Sequence, residues 1–484
     1  MIRPANQYGP FSGAPQEECG VFGIYKNDND MHITNEVYGA LFALQHRGQE
    51  SAGIAINQNG EFTCLKDLGM VSEALNASAV EALGDGKIAI GHVCYSPNEA
   101  FIRAAAQPLV MRYIKGSLAI AHNGAITNLA QLHHRLEQGG AIFQSNSNAE
   151  LIAYVVASQR IVTRSIEEAV LSSVQQLQGA YSLVISSPRK LIGVRDKNGF
   201  RPLCIGKIKN SWLLSSESCA FDSLGAEFIR DVLPGEVVVI DEKGLHSYQQ
   251  NCTGKSSLCM FEYVYIARPD SVIDGVSVHM ARKRAGQILA QEHPVEADMV
   301  CGVPDSGVNA ALGYSEESGI PFGIALIKNK YIGRTFAKRQ LAAKERLIQI
   351  KINVLKAAVE GKRVVIIDDS IVRGTTCAHI VRLLKEAGAK EVHMRISSPP
   401  FLNQCYFGTD IKNEEDLIAR KLSAQEICRK IGADSLGYLS ISGLHRIAKE
   451  ASVGFCDACF TGNYPAEIPQ TIYEDKFSRK IVQK

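Results

Sequence analysis

The chain has 484 residues, 46% of them hydrophobic and 21% charged, with a formal net charge of +2. That length calls for more than one core, and so small a charge offers nucleic acid or an acidic membrane no bulk attraction. No apolar run approaches the roughly 18 residues of a spanning helix, and the polar stretch Met1–Glu18 lacks the features of a secretory signal, so a cytoplasmic protein is expected. Its thirteen cysteines then sit in a reducing compartment, where structural disulfides are disfavoured. Cys204, Cys219 and Cys301, in apolar settings, are expected to pack as small buried hydrophobes.

From Cys19 to about Gly244 the pattern is one of short strands with a few helices between them. Apolar runs bounded by turn residues predict strands at Val21–Tyr25, Gly53–Ile56, Leu118–Ala121, Tyr181–Ile185 and Val237–Ile240. Helical spacing predicts helices around Val37–Gln45 and Ala149–Gln159. Strands without a regular βαβ rhythm suggest an α+β layered domain. The polar stretch Gln249–Ser257 reads as a linker. From about Asp298 the rhythm becomes strand, loop, helix: Met299–Val303 before an Ala-rich helix, Arg363–Ile367 before a helix from about Thr376 to Ala387, then Val392–Ile396. That rhythm predicts an α/β domain on a parallel sheet. The expected division is a leader at 1–18, a first domain at 19–250, a second at 258–450, and a C-terminal segment at 451–484.

The most informative string is Val364-Val365-Ile366-Ile367-Asp368-Asp369-Ser370-Ile371-Val372-Arg373-Gly374-Thr375-Thr376. A buried strand ends in two acids, and a helix then opens on Gly and Thr. Ligands of open parallel sheets bind at the carboxyl ends of strands. A helix start supplies unpaired N–H groups and positive potential for a phosphate. Asp368 and Asp369 would repel that phosphate; they suit ribose hydroxyls or magnesium. The string closely resembles the phosphoribosyl-pyrophosphate fingerprint of type I phosphoribosyltransferases. That resemblance implies substrate contacts from Asp368, Asp369, Ser370, Arg373, Gly374, Thr375 and Thr376. It also implies a pyrophosphate loop at Gly302-Val303-Pro304-Asp305-Ser306, with Ser306, Asp368 and Asp369 near magnesium.

Near the start, Glu17-Glu18-Cys19-Gly20-Val21-Phe22-Gly23-Ile24 is followed by Leu44-Gln45-His46-Arg47-Gly48-Gln49-Glu50-Ser51-Ala52-Gly53-Ile54 and later by Ala121-His122-Asn123-Gly124. A cysteine freed at a chain start has its own α-amine, titrating near pH 8, as a general base. The Asn123 side chain and Gly124 N–H suit an oxyanion hole. These segments resemble an N-terminal-nucleophile glutamine amidotransferase domain, which implies an αββα fold with Cys19 as nucleophile. Joined to the second fingerprint, and with Tyr265-Ile266-Ala267-Arg268-Pro269-Asp270-Ser271 between the domains, the chain resembles the glutamine phosphoribosylpyrophosphate amidotransferases. The resemblance implies glutamine-dependent formation of phosphoribosylamine in the first committed step of purine synthesis. It further implies purine-nucleotide inhibition, a homo-oligomer (usually a tetramer) and autocatalytic loss of the leader. One branch of that family carries a 4Fe–4S cluster. Its ligand contexts correspond here to Cys259, Cys405, Cys456 and Cys459, whereas Cys456-x-x-Cys459 alone fits a zinc half-site or a redox pair equally well.

Two departures from the family pattern stand out. The family's Gly-His-x-Arg-Tyr, whose arginine meets the glutamine carboxylate, reads Gly91-His92-Val93-Cys94-Tyr95, followed by Ser96 to Arg103; the family's Ser-Asp-Thr-Glu reads Ser147-Asn148-Ala149-Glu150. The loop after Gly333-Arg334-Thr335-Phe336 also differs, running Ala337 to Lys344 with its positive charge retained. The alternative expectation is therefore a diverged relative that depends on ammonia, or a non-catalytic protein that binds phosphoribosyl pyrophosphate.

Overall fold

The structure, a computed structural model, describes residues 19–28, 31–95, 103–145, 147–329, 352–409, 411, 413–451 and 453–469. The leader, the stretch 96–102 and the altered loop after Phe336 lie outside these residues.

Two antiparallel sheets form the middle of the first half. One has seven strands in the order Glu227–Asp231, Cys204–Ile208, Ser211–Ser215, Gly20–Tyr25, Ile88–Cys94, Ser51–Gln58 and Glu61–Leu68. The other has six: Gly244–Tyr248, Val237–Asp241, Leu191–Arg195, Gly179–Ser186, Gly116–Ile126 and Leu109–Tyr113. Side chains alternate across a strand, and the first strand uses both of its faces. Val21 and Tyr25 enter the core between the sheets, with Ala121, Val184 and Leu214. Phe22 and Ile24 point the other way, under the helix Ile33–Ala43. The helices Asn148–Val162 and Ile166–Val174 cover the outer face of the second sheet. The result is the four-layer αββα arrangement. Both faces of the central strands are covered, so their sequences read as continuous apolar runs. The motif Gly91–Cys94 proves to be the end of one such strand, buried along its whole length.

The second half is built on a parallel sheet, Met299–Gly302, Arg363–Asp368, Glu391–Ile396 and Ser435–Tyr438, with Gly302 beside Ile367 and Ile367 beside Arg395. The helices Val308–Ser318 and Thr375–Glu386 follow its first two strands. The fourth strand escaped the periodicity reading because Ser435-Leu436-Gly437-Tyr438 is too short and too polar to stand out. Cys204, Cys219 and Cys301 are buried in apolar surroundings. No described helix is long and apolar enough to cross a membrane.

A buried ionic network joins the halves. Arg47 donates to Glu217 at 2.6 Å and, with both terminal nitrogens, to Glu262 at 2.9 Å. Arg201 meets Glu262 at 3.3 Å and the Phe407 carbonyl at 2.5 Å. All four side chains are fully buried. Burial alone would push Glu217 up, but the charges of His46 and Arg47 outweigh it and hold the carboxyl well below its usual range. Removing one partner would strand a buried charge, typically at a cost of about 3–5 kcal/mol.

Candidate functional site: a thiol centre and a phosphoribosyl loop

The first centre lies at the ends of three strands. The ladder between Gly20–Tyr25 and Ile88–Cys94 ends with Gly20 opposite Val93, so one further step sets Cys19 across from Cys94. Their sulfurs are 3.2 Å apart, and the Cys19 thiol also faces the Tyr95 carbonyl at 3.7 Å. His92 is two residues back from Cys94 and so shares its face. Arg47 Nε holds the Cys19 carbonyl at 3.0 Å, tying the backbone of Cys19 to the network between the halves. Gly48 is required beside it, since a Cβ there would come within 2.4 Å of the Cys94 carbonyl carbon. The hydrogen bond from Cys94 lowers the Cys19 thiol well below its ordinary value; burial opposes this and His92 reinforces it. Cys94 is pushed the other way, first by Cys19 and then by burial. The two sulfurs share one hydrogen bond, which favours the charged form of Cys19 over that of Cys94.

Asn123 comes from the other sheet. Its side chain is buried, and among the described residues its Nδ2 has no hydrogen-bond partner. A buried unpaired donor costs about 1–3 kcal/mol, and such a group fits one kept to meet an oxyanion. Gly124 has φ +128°, and a Cβ would sit 2.2 Å from the Ala180 carbonyl oxygen, so only glycine fits. Asn148 begins the helix Asn148–Val162. Arg103 is turned to the surface, where it pairs with Asp67 at 3.2 Å.

The second centre lies at the carboxyl end of Arg363–Asp368. Ser306 donates to Asp369 Oδ1 at 2.6 Å and Ser370 donates to Oδ2, so one carboxylate receives hydroxyls from both loops. The loops pack directly: a Cβ on Gly307 would lie 2.1 Å from the Ile367 carbonyl oxygen. Asp368 is buried, and burial followed by the neighbouring Asp369 raises its carboxyl well above the usual range. Gly374, at φ +78°, turns the chain into the helix Thr375–Glu386. Thr375 is exposed at that helix start and Thr376 half-buried. Arg373 bonds Asp416 at 2.5 Å.

The four cysteines from distant stretches also converge. Cys259 lies beside Cys456 in a short parallel pairing. Leu402 and Asn403 N–H groups both bond the Cys459 carbonyl at 3.0 Å, drawing the Cys405 segment alongside. Burial lifts Cys456 to about 12, with Cys405 adding to it. Burial lifts Cys459 well above its ordinary value, with Cys259, Cys405 and Cys456 adding to it. Thiolates this close are stable together only around a positive centre. Four converging cysteines are a donor set for a metal centre, zinc or an iron–sulfur cluster.

Sequence reasoning had left His92 and the Arg47–Glu217–Glu262–Arg201 network without roles. Their signals were faint: a histidine in step with Cys94, and charged residues inside apolar stretches.

Comparison with known proteins agrees with both centres. The family model of a glutamine amidotransferase domain matches residues 100–223, and that of a phosphoribosyl transferase domain matches residues 277–397. A chain joining the two is a glutamine-dependent phosphoribosyltransferase. It is 46% identical to an amidophosphoribosyltransferase of Archaeoglobus fulgidus, over 93% of this chain and 98% of that one. With the Bacillus subtilis amidophosphoribosyltransferase it shares 45% identity, over 94% and 95%. The solved B. subtilis glutamine phosphoribosylpyrophosphate amidotransferase, complexed with ADP and GMP, superposes with a TM-score of 0.86 at 43% identity, covering 93% of this chain and 98% of that chain. The chain belongs to the amidophosphoribosyltransferase family.

Proposed function

We propose that the chain makes phosphoribosylamine, the first committed intermediate of purine synthesis, with nitrogen cut from glutamine. The observation that carries this reading is the presence, in one chain, of the hydrogen-bonded Cys19 thiol and the orphaned Asn123 donor together with a phosphoribosyl loop clasped by Ser306 and Asp369. Cys19 attacks the glutamine amide carbon. The oxyanion is received by Asn123 Nδ2 and the Gly124 N–H. The thiol proton, taken up by the freed α-amine of Cys19, passes to the leaving nitrogen; collapse of the adduct then leaves a thioester on Cys19 and frees ammonia, and water later releases glutamate. Kept from bulk water, ammonia stays unprotonated and attacks the anomeric carbon of the ribose as pyrophosphate departs. The helix start at Thr375 and Thr376 receives the 5′-phosphate, and Asp368 and Asp369 receive the ribose hydroxyls. Magnesium, held through Ser306, Asp368 and Asp369, would neutralise pyrophosphate charge. Residues 19–250 and 258–450 are the two domains in this reading. Purine nucleotides of the kind bound to the B. subtilis protein are its inhibitors, and it works as a homo-oligomer in the cytoplasm. The test is pyrophosphate release with glutamine and, separately, with ammonia; no release with either donor would overturn the reading.

Cys259, Cys405, Cys456 and Cys459 hold a 4Fe–4S cluster in this reading. Support comes from the convergence of the four thiols and from their position at the seam, where the Cys259 N–H bonds the Phe200 carbonyl of the first half. Anaerobically purified protein is expected to carry about four irons per chain, and Cys259→Ser to lose iron and stability together. Stoichiometric zinc without iron would reject the cluster.

A second reading has one specific observation in its favour. Cys94, a thiol, faces the nucleophile where the family pattern has a glutamine-binding arginine, so free ammonia gains weight as the working donor.

A further inference from the structure

We propose that Cys19, His92 and Cys94 form a binding site for a thiophilic divalent cation, zinc, which masks the thiol nucleophile while it is bound. One ligand atom from each of the three side chains lies within 4.8 Å of the others. Strand geometry brings them together. Cys19 and Cys94 are cross-strand neighbours, and His92 follows Cys94 at the two-residue repeat that keeps side chains on one face.

The orientation of His92 is the second observation. Its ring is fully buried, and Nε2 lies 2.9 Å from the His122 carbonyl oxygen. A carbonyl accepts only, so Nε2 carries the proton, and Nδ1 is left with a bare lone pair. Among the described residues Nδ1 makes no hydrogen bond. A ligating histidine commonly has its far nitrogen fixed to a carbonyl in this way, which sets the tautomer in advance.

Two cysteines, one histidine and an open fourth position make up a zinc donor set. The balance is simple: Zn²⁺ displaces the two thiol protons, forms two Zn–S bonds and one Zn–N bond, and leaves the centre neutral with no change in oxidation state. The sulfurs need to part from 3.2 Å to the ~3.8 Å that 2.3 Å bonds at tetrahedral angles require. Cys94 is what makes the site: an arginine in its place would supply no ligand and would repel the cation.

The masking claim rests on Cys19 being the glutaminase nucleophile, whereas the binding claim does not. The test therefore reads metal directly. Cluster-loaded protein, kept reduced with a phosphine, is titrated with Co²⁺ and then with Zn²⁺. Thiolate-to-cobalt charge-transfer bands are expected with one equivalent, displaced by zinc. Cys94→Ala and, independently, His92→Ala should bind at least about a hundredfold more weakly, since outer-sphere partners alone are worth 10- to 100-fold. Iron content and circular dichroism check that each variant is folded. Absence of bands in the unaltered protein, or bands of equal strength in folded Cys94→Ala, overturns the site. Zinc should also suppress glutamine hydrolysis in the unaltered protein. If the bands behave as expected and hydrolysis is absent or indifferent to zinc, the metal site stands and the role of Cys19 as glutaminase nucleophile falls.

Discussion

The two centres are assembled by different rules, one from a consecutive stretch of chain and the other from residues far apart in sequence. In the phosphoribosyl domain the candidate ligand groups run consecutively from Asp368 to Thr376, because a parallel strand hands its chain directly to a loop and a helix start. In the thiol centre each strand contributes one or two residues: Cys19 from one, His92 and Cys94 from its neighbour, Asn123 from the opposite sheet. A consecutive loop is a single geometric unit, in which Gly374 and the two acids depend on one another. A centre gathered from separate strands can exchange one contributor and keep the rest. Cys94 stands at such a position, on a different strand from the buried Asn123 and the sterically fixed Gly124.

The comparison breaks first at Cys19. Cys19→Ala should lower glutamine-dependent turnover by at least about four powers of ten, the scale seen when a covalent nucleophile is deleted. Ammonia-dependent turnover should persist, and intact mass should show residues 1–18 still attached, the outcome expected of an autocatalytic removal through this thiol. Loss of ammonia use in parallel would mean the centres are not separable.

Asp369 tests the other side. Both its oxygens engage hydroxyls, one from each loop, so Asp369→Asn should depress turnover with glutamine and with ammonia equally, by about a hundred- to a thousandfold. A loss confined to glutamine would contradict the placement of the phosphoribosyl chemistry here.

The divergence itself is tested by restoring the family pattern. Each missing charged contact is worth roughly 1.5–3 kcal/mol, and neighbouring losses do not simply add. Cys94→Arg with Asn148→Asp is expected to raise kcat/KM for glutamine by about a hundredfold and to leave ammonia use alone. Efficient use of glutamine by the unaltered protein, with no gain from the double change, would show that other residues have rebuilt the recognition.

The smallest effect concerns the seam. Burial raises the Asp196 carboxyl to about 6, against the pull of Arg195. Its oxygens accept from the Tyr181, Asn198 and Phe200 N–H groups, and Phe200 stacks on Phe407 of the other half at 4.3 Å. An acid with a raised folded pKa contributes stability that is full below its unfolded value, near 3.9, and is lost as pH rises through about 6. Denaturant unfolding from pH 4 to 7 should therefore show the unaltered protein losing, relative to Asp196→Asn, on the order of 2 kcal/mol. A pH-independent difference between the two would remove this account of the seam.

The short apolar runs of the first half, the βαβ rhythm of the second and the complete phosphoribosyl string are local patterns. Each follows from residues a few positions apart, and a one-dimensional reading reaches them. Cys19 and Asn123 were legible as candidates through resemblance, since nothing in their immediate neighbours marks them. What only the tertiary structure decided is which residues meet. Cys94 faces Cys19 because antiparallel register is set by the packing of whole strands. The Arg47–Glu262 pair forms because two domains close on it, and four cysteines between positions 259 and 459 gather because the chain's C-terminal stretch returns to pair beside Leu258. Contacts of such separation cost loop-closure entropy that no local sequence signal records.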